Sequence, residues 1–290
     1  MTHFEILAAH AETVSLFEIQ EALNRSGLVI LRHRDHERPH FLALSEALSD
    51  GFVTQQPKGE YRTVSAAHAR QRLNAEGNLF SVGGQGQCHP LPLHGEFYFQ
   101  SQEPPGLLWF FCEAPSRAEG HTLICDGQAL FQSFPVTLQH CFSQRALRYR
   151  RYHTREQWQA QFHTESKAEL CDYLSSQGKQ VHWEGDTVCV DFLAPACRKR
   201  GVEFVFVNNF LPFALKQIEK PLISRARVDF HDDYEVTSAL VKRVASLAAP
   251  LTRPLIWQQG DIVLVDNTRM MHGRQALDPG DTRKVSIRMA

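Results

Sequence analysis

A histidine and a glutamate that lie two residues apart, His94 and Glu96, have the types and spacing that metal chemistry needs. On an extended strand, residues i and i+2 point to the same face, so the imidazole and the carboxylate would enter the same space. Two histidines and one carboxylate on one face form the facial triad that holds iron(II) and leaves the opposite face open. The pair therefore predicts two-thirds of an iron site, to be completed by a second histidine from elsewhere.

A candidate for that second histidine is His272, which follows a predicted strand at residues 262–265. The first and last core strands of a jelly roll meet in space, so a distant histidine can reach the pair. Asp266 and Asn267 are expected to shape the turn before His272 through side-chain hydrogen bonds to the backbone. Gly95, between the first two ligands, is expected to leave room for substrate.

Further side chains fit a bidentate 2-oxo acid as cosubstrate. Arg283, on the predicted last strand at residues 283–289, offers the guanidinium that pairs bidentately with a carboxylate in a dry pocket. Thr122 could add a hydroxyl donor to the same carboxylate. Arg288 is a second candidate cation, although it lies on the other face of that strand. Arg274 either pairs with a carboxylate such as Asp261 or holds a carboxylate of the substrate.

Composition excludes several classes of partner. A net charge of −1 gives no reason to expect nucleic acid or an anionic membrane surface. The seven cysteines are scattered without a CxxC pair, which is typical of reduced thiols in a cytosolic protein. The N-terminus lacks the pattern of a signal peptide, and no segment approaches the ~20 apolar residues of a membrane span. These features predict a cytoplasmic protein.

The order of elements predicts a mainly β fold with flanking helices. Strands and helices do not alternate regularly, which favours a double-stranded β-helix, a cupin-like jelly roll of about eight core strands. We expect one domain over residues 1–290, with helices and a strand in residues 1–90 packed on a jelly-roll core at 91–290. Helices are predicted at 16–25, 40–48, 128–134, 155–174 and 235–248, and strands at 28–31, 107–112, 123–125, 147–152, 187–192, 202–207 and 262–265. The glycines at residues 83–86 lack the strand, helix and lysine of a phosphate-binding loop.

In combination, these motifs resemble the TauD/TfdA family of iron(II)- and 2-oxoglutarate-dependent dioxygenases over most of the chain. The resemblance rests on the following residues: Leu93-His94-Gly95-Glu96, Gly120-His121-Thr122, Trp257, Gly260-Asp261, Asp266-Asn267, His272-Gly273-Arg274 and Arg283. It implies that His94, Glu96 and His272 bind the iron. It also implies that Thr122 and Arg283 hold the distal carboxylate of 2-oxoglutarate, and that dioxygen is consumed.

The middle of the chain is similar to a SyrP-like branch that hydroxylates amino acids for specialised metabolites, often on a carrier protein. This similarity lies in residues 147–152, in residues 158–164 and in the segment that ends at Asn208 and Asn209. It implies a small amino-acid-like substrate, free or bound to a carrier protein. The substrate candidates are Phe97, Asn208, Asn209, Arg274 and Arg288. The basic residues Arg148, Arg150, Arg151 and Arg155 form either a solvated face or a contact with a carrier arm or an acidic substrate.

Three departures from the family pattern bear on this assignment. Gly120-His121 replaces a glycine pair, Ile287 stands where a second arginine is common, and Glu96 replaces the commoner aspartate. Halogenating relatives lack the carboxylate, so Glu96 predicts hydroxylation or desaturation rather than chlorination. Two other classes stay open on the same fold. They are a metal-dependent isomerase or hydrolase that does not use 2-oxoglutarate, and a non-catalytic binding protein.

Overall fold

A computed structural model describes residues 4–54, 70–82, 89–219, 225–232 and 234–290. The glycine loop at residues 83–86 lies outside these ranges. No helix within them is long and apolar enough to cross a membrane.

Two β-sheets form the centre of the molecule. The larger sheet has six strands in the order β1-β2-β14-β5-β16-β3, and the smaller has four in the order β13-β6-β15-β4. The larger sheet consists of β1 (Glu5–Leu7), β2 (Leu28–Leu31), β3 (Phe80–Ser81), β5 (Leu107–Ala114), β14 (Ile262–Asp266) and β16 (Lys284–Met289). The smaller sheet consists of β4 (Leu91–His94), β6 (Thr122–Asp126), β13 (Arg253–Leu255) and β15 (Met270–Arg274).

One hydrophobic cluster joins the two sheets. It contains Phe110 of β5, Val263 of β14 and Ile287 of β16 from the larger sheet, and Ile124 of β6 and Leu255 of β13 from the smaller. All five side chains are at most 3% exposed, so the space between the sheets is a packed core. The predicted jelly roll is confirmed.

A third sheet covers the segment that carries His94 and Glu96. Its strands run in the order β12-β7-β9-β8, and a two-stranded β10-β11 ribbon follows in the chain. The bounds are β7 (Ala146–His153), β8 (Gln180–Glu184), β9 (Thr187–Pro195), β10 (Arg198–Arg200), β11 (Glu203–Val205) and β12 (Ala226–Phe230). Tyr149 of β7 and Phe192 of β9 pack in the same core as Leu93 and Tyr98. This sheet therefore helps to fix residues 93–98.

Eight α-helices and one 3-10 turn flank the sheets in the described ranges. They are α1 (Leu16–Ser26), α2 (Arg38–Ala47), α3 (Gly127–Ser133), α4 (Val136–Ser143), α5 (Arg155–Phe162), α6 (Lys167–Ser176), α7 (Phe210–Glu219), α8 (Ser238–Ala248) and the 3-10 turn Ala249–Leu251. Gly27 ends α1 in the left-handed conformation at φ 73°, which a residue without a Cβ adopts at no steric cost.

The structure corrects three expectations about the elements. The helix predicted at 155–174 is two helices, because His163 adopts a left-handed conformation at φ 53° that ends α5. Helices α4 and α7 were not predicted. The N-terminal segment does more than pack on the core, because β2 pairs directly with β14 inside the larger sheet.

Candidate functional site

His94, Glu96 and His272 meet at one end of the smaller sheet. His94 is the last residue of β4 and lies opposite His272 of β15 in the antiparallel register. Glu96 lies just beyond the strand, in a turn, which agrees with the expectation that the pair lies in or beside a strand. One ligand atom from each residue lies within 4.8 Å of the others, and all three side chains are buried. The arrangement fits the two imidazoles and one carboxylate of a facial metal triad.

Hydrogen bonding prepares His94 for metal binding. Its Nδ1 donates to the carbonyl of Pro92 at 2.9 Å, which leaves Nε2 as the free lone pair. Burial, together with the neighbouring His272, lowers the pKa of His94 to about 3. The imidazole is therefore neutral near pH 7, which is the form that binds a metal ion.

Glu96 is held as a carboxylate by positive and polar neighbours. Its Oε2 lies 3.5 Å from Nε2 of His272 and accepts a hydrogen bond of 2.8 Å from Nη2 of Arg70. Burial alone would raise the pKa of Glu96, but Arg70 and His272 outweigh it and hold the pKa well below its ordinary value. The carboxylate is therefore charged and ready to neutralise part of a divalent cation.

Asn267 clamps the backbone of Glu96. Its Oδ1 accepts from the N–H of Glu96 at 2.9 Å, and its Nδ2 donates to the carbonyl of Glu96 at 3.2 Å and to the carbonyl of Pro105 at 2.7 Å. Asp266 shapes the turn as predicted, because its Oδ1 accepts from the N–H of Thr268. Asn267 thus acts on the metal-binding segment itself, beyond the turn-forming role expected of it.

Close packing around residue 95 leaves no room for a side chain larger than that of glycine. A Cβ at this position would lie 2.5 Å from Cγ1 of Val207 and 2.6 Å from Cδ2 of Tyr98. Both neighbours are buried, at 2% and 1% exposure. The expectation that Gly95 leaves room for substrate is wrong, because the space beside it is filled by the core.

Thr122 and Arg283 form a polar pair in the same cavity as the two histidines. Nη2 of Arg283 donates to Oγ1 of Thr122 at 3.0 Å, and the indole N–H of Trp257 donates to the same oxygen at 3.0 Å. Because Oγ1 accepts both bonds, its own proton is available to a ligand. Burial and the neighbouring Arg274 lower the pKa of Arg283 to about 10, so the guanidinium stays charged at neutral pH.

The cavity that these side chains line has a volume of about 160 Å³. Three guanidinium groups, those of Arg70, Arg274 and Arg283, line it together with His94 and His272. Glu96 is the carboxylate beside them, so the balance of charge is positive. A dicarboxylate that also chelates a metal matches both the charge and the donors.

The predicted pairing of Arg274 with Asp261 is wrong. Asp261 is fully buried and takes two hydrogen bonds from Arg32, at 2.9 and 2.8 Å. Arg274 instead donates to the carbonyl of His89 at 2.8 Å. It remains a candidate for contact with a ligand because it lines the cavity.

Phe97, Asn208 and Asn209 lie close to the metal-binding segment but are tied into the fold. Phe97 is 8% exposed and adopts a left-handed conformation at φ 68°, in the turn after Glu96. Asn208 donates to the carbonyl of Ala196 and accepts from the N–H of Phe210 at the start of α7. The N–H of Asn209 donates to the hydroxyl of Tyr149 at 3.0 Å. These contacts fix the segment around Asn208, whose backbone carbonyl accepts a hydrogen bond from the N–H of Gly95.

Arg288 does not belong to the site. Its side chain is 2% exposed and faces α2, where it donates to Oγ of Ser45 at 2.7 Å and to Glu46 at 3.2 Å. The guanidinium also stacks on the ring of Phe52 at 3.6 Å. The strand alternation that separates it from Arg283 sends it to the opposite side of the sheet, so we withdraw it as a substrate candidate.

Sequence reasoning missed Arg70 as a site residue and assigned no site role to Trp257. Arg70 comes from a stretch without periodicity, and nothing in the sequence connects it to Glu96. Trp257 is one of the residues that carry the family resemblance, and the structure shows that its N–H donates to Thr122. The N–H of a buried indole usually has a hydrogen-bond acceptor, and this tendency could have indicated a polar partner for Trp257.

The comparisons with known proteins agree with this geometry. The family model described as "Taurine catabolism dioxygenase TauD, TfdA family" matches residues 7–289. The dapdiamide synthesis protein DdaC of Enterobacter agglomerans is 22% identical, and the match covers 98% of this chain and 91% of DdaC.

Solved structures show the same fold. PvcB of Pseudomonas aeruginosa, an iron- and α-ketoglutarate-dependent oxygenase from an isonitrile synthetic pathway, superposes with a TM-score of 0.58 at 13% identity, covering 97% of this chain and 81% of PvcB. AAD-2, solved with Mn(II) and N-oxalylglycine, gives a TM-score of 0.58 at 12% identity and covers 99% of this chain and 93% of AAD-2. Since the family model spans nearly all of the sequence, the chain belongs to the TauD/TfdA family of iron(II)- and 2-oxoglutarate-dependent dioxygenases.

Proposed function

We propose that His94, Glu96 and His272 bind iron(II), and that Arg283 and Thr122 hold the distal carboxylate of 2-oxoglutarate. The observation that carries this proposal is a single cavity lined by His94 and His272 together with Thr122 and Arg283. The metal, when bound, supplies dioxygen activation coupled to oxidation of the 2-oxo acid. The chain's own part is to bind, to orient and to keep the cavity dry.

The substrate that we propose is a small molecule derived from an amino acid, free or bound to a carrier protein, which the enzyme hydroxylates or desaturates. Two relatives support a role in specialised metabolism. DdaC is named for dapdiamide synthesis, and PvcB for an isonitrile synthetic pathway. Glu96 supports hydroxylation over chlorination, because its carboxylate would take the ligand position on the metal that a halide would need.

The proposal is tested by measuring succinate formed from 2-oxoglutarate with and without iron(II). We expect succinate that depends on the metal. His94→Ala should abolish it and should also weaken equilibrium binding of Mn(II), which is a readout independent of turnover. A protein that turns over substrate without forming succinate would instead be a metal-dependent isomerase or hydrolase on this fold. Full metal binding by His94→Ala would show that the triad is misassigned.

A further inference from the structure

An arginine lies on the inner face of strand β7. Leu147, Tyr149 and His153 alternate along this strand and are buried, at 0%, 1% and 7% exposure. Arg151 occupies the same face by the period of two. It stands opposite Val190 of β9, so its nearest cross-strand partner is apolar.

The arginines on the outer face of β7 have partners, which makes Arg151 different. Nη2 of Arg150 lies 2.8 Å from a carboxylate oxygen of Asp229, and Arg148 donates to the carbonyl of His231 at 2.9 Å. For Arg151, the described residues supply neither a carboxylate nor a hydrogen-bond acceptor. The guanidinium lies 5.5 Å from the ring centroid of Phe99.

A second cavity opens at this guanidinium. Its polar lining residues are Gln100, Tyr149, Arg151, His153, Gln161 and Lys179. Gln161 is 2% exposed, and its amide makes no hydrogen bond within the described part of the chain. The volume, about 20 Å³, accommodates one or two water-sized groups, which is the size of a carboxylate head.

The charges in this cavity are costly without an anion. A cation taken out of water is destabilising unless it is paired. Burial lowers the pKa of Arg151. Among the described residues no carboxylate lines the cavity, so an anionic ligand would supply a counter-charge to Arg151.

The position of the cavity connects it to the proposed reaction. Phe99, which lines it, belongs to the turn that begins at Phe97, directly after the proposed metal ligand Glu96. We propose that this cavity binds a carboxylate group of the substrate through Arg151 and Gln161. The substrate is then an organic acid with a free carboxylate. This inference rests on the proposed function for its link to catalysis, whereas the anion site itself can be tested without it.

The first experiment uses the metal-free, full-length protein and acetate as the probe. Acetate replaces chloride at constant ionic strength, and thermal unfolding is followed by circular dichroism. At about ten times the dissociation constant of acetate, we expect the melting temperature to rise by roughly 2–5 °C. Arg151→Met should abolish the rise. Arg150→Met, the adjacent arginine on the outer face, is the matched control and should keep it.

Arg283→Ala separates this cavity from the cosubstrate site. The shift should persist in Arg283→Ala; its loss there, with retention in Arg151→Met, would place acetate at the cosubstrate site and overturn the proposal. In chloride alone, Arg151→Met should melt at or above the wild-type temperature, because it removes a half-buried cation that no carboxylate of the described residues pairs. A clearly lower melting temperature would make Arg151 a structural residue and would equally overturn the proposal.

The second experiment tests the link to catalysis. Amino acids and their carboxamides are screened in pairs for stimulation of 2-oxoglutarate consumption by the iron-loaded enzyme. An acid should stimulate while its amide does not, and Arg151→Met should raise the KM for the acid at least tenfold with the KM for 2-oxoglutarate unchanged. Equal stimulation by an amide would refute the substrate role. An enzyme that consumes no 2-oxoglutarate under any condition refutes the proposed function but leaves the acetate result standing.

Discussion

Arg70 is hydrogen bonded to Glu96 through the carboxylate oxygen that also faces His272. Nη2 of Arg70 lies 2.8 Å from Oε2 of Glu96, and the same oxygen lies 3.5 Å from Nε2 of His272. A guanidinium thus occupies the electrostatic role that a metal ion would take. We therefore expect Arg70 and a divalent cation to compete for this carboxylate.

This competition predicts that Arg70→Met tightens metal binding. Removing a positive charge beside the carboxylate should lower the dissociation constant for Mn(II) about tenfold, measured by isothermal titration calorimetry, which corresponds to about 1.4 kcal/mol. Arg72→Met is the matched control, because within the described residues the exposed Arg72 donates to the backbone carbonyls of Asn74 and Ala75 and not to Glu96. Weaker Mn(II) binding by Arg70→Met would mean that Arg70 orients Glu96 for the metal.

Removal of the proposed carboxylate anchor should weaken cosubstrate binding. Arg283→Met loses a charged hydrogen-bond donor, so the dissociation constant of 2-oxoglutarate in the Mn(II)-loaded protein should rise roughly 10- to 100-fold. Trp257→Phe keeps most of the packing but removes the N–H that binds Thr122, and a rise of about 3- to 10-fold is expected. Calorimetric titration of both variants with 2-oxoglutarate checks that Arg283→Met weakens binding more than Trp257→Phe does. An unchanged affinity in Arg283→Met would remove its assigned role.

His153 should make the protein less stable in acid. Burial, with Arg151 and Arg225 nearby, lowers the pKa of His153 to about 3, whereas its unperturbed value is 6.5. Between these values the unfolded chain binds a proton that the folded protein does not. The unfolding free energy therefore has its full value, as far as His153 is concerned, above pH 6.5 and decreases as the pH falls towards 3.

The variant His153→Gln should flatten this dependence. The slope of the unfolding free energy against pH should fall by up to about 1.4 kcal/mol per pH unit between pH 6 and 4, measured by urea unfolding. The matched control is His182→Gln on β8, whose imidazole is largely exposed, and it should leave the slope unchanged. Identical slopes in wild type and His153→Gln would show that His153 is already protonated in the folded state.

Enlarging Gly95 should damage both stability and metal binding. The new methyl of Gly95→Ala would press on Val207 and Tyr98, and overpacking of this kind costs about 1–3 kcal/mol. Because Gly95 lies between two ligands, Mn(II) affinity should fall at least tenfold. The double variant Gly95→Ala/Val207→Ala removes the nearest clash and should recover part of both losses. Wild-type stability in Gly95→Ala alone would contradict the packing account.

The fold class and the grouping of His94, Glu96 and His272 were predictable because their signals are local or chemically specific. His94 and Glu96 lie two residues apart on the chain, and the family resemblance implied His272 as the third ligand. Strands such as Leu28–Leu31 and Ile262–Asp266 were visible as buried apolar runs. The family resemblance added the pairing of Thr122 with Arg283, which the structure brings together.

Other features depend on contacts that the sequence does not encode locally. The hydrogen bonds between Asn267 and Glu96 join residues 171 positions apart. The basic residues of β7 were interpreted together, as one solvated face or one contact surface. The adjacent pair Arg150 and Arg151 in fact divides them between two faces, so that Arg150 meets Asp229 and Arg151 enters a cavity.

The clamp of Asn267 on Glu96 has a kinetic consequence. Both backbone groups of Glu96 are hydrogen bonded to one side chain that is fully buried. These contacts restrict the conformations open to Glu96, so little chain entropy would be lost when a metal ion binds. Iron can leave and return without refolding of the segment, so occupancy of the enzyme should follow the free iron concentration of its surroundings.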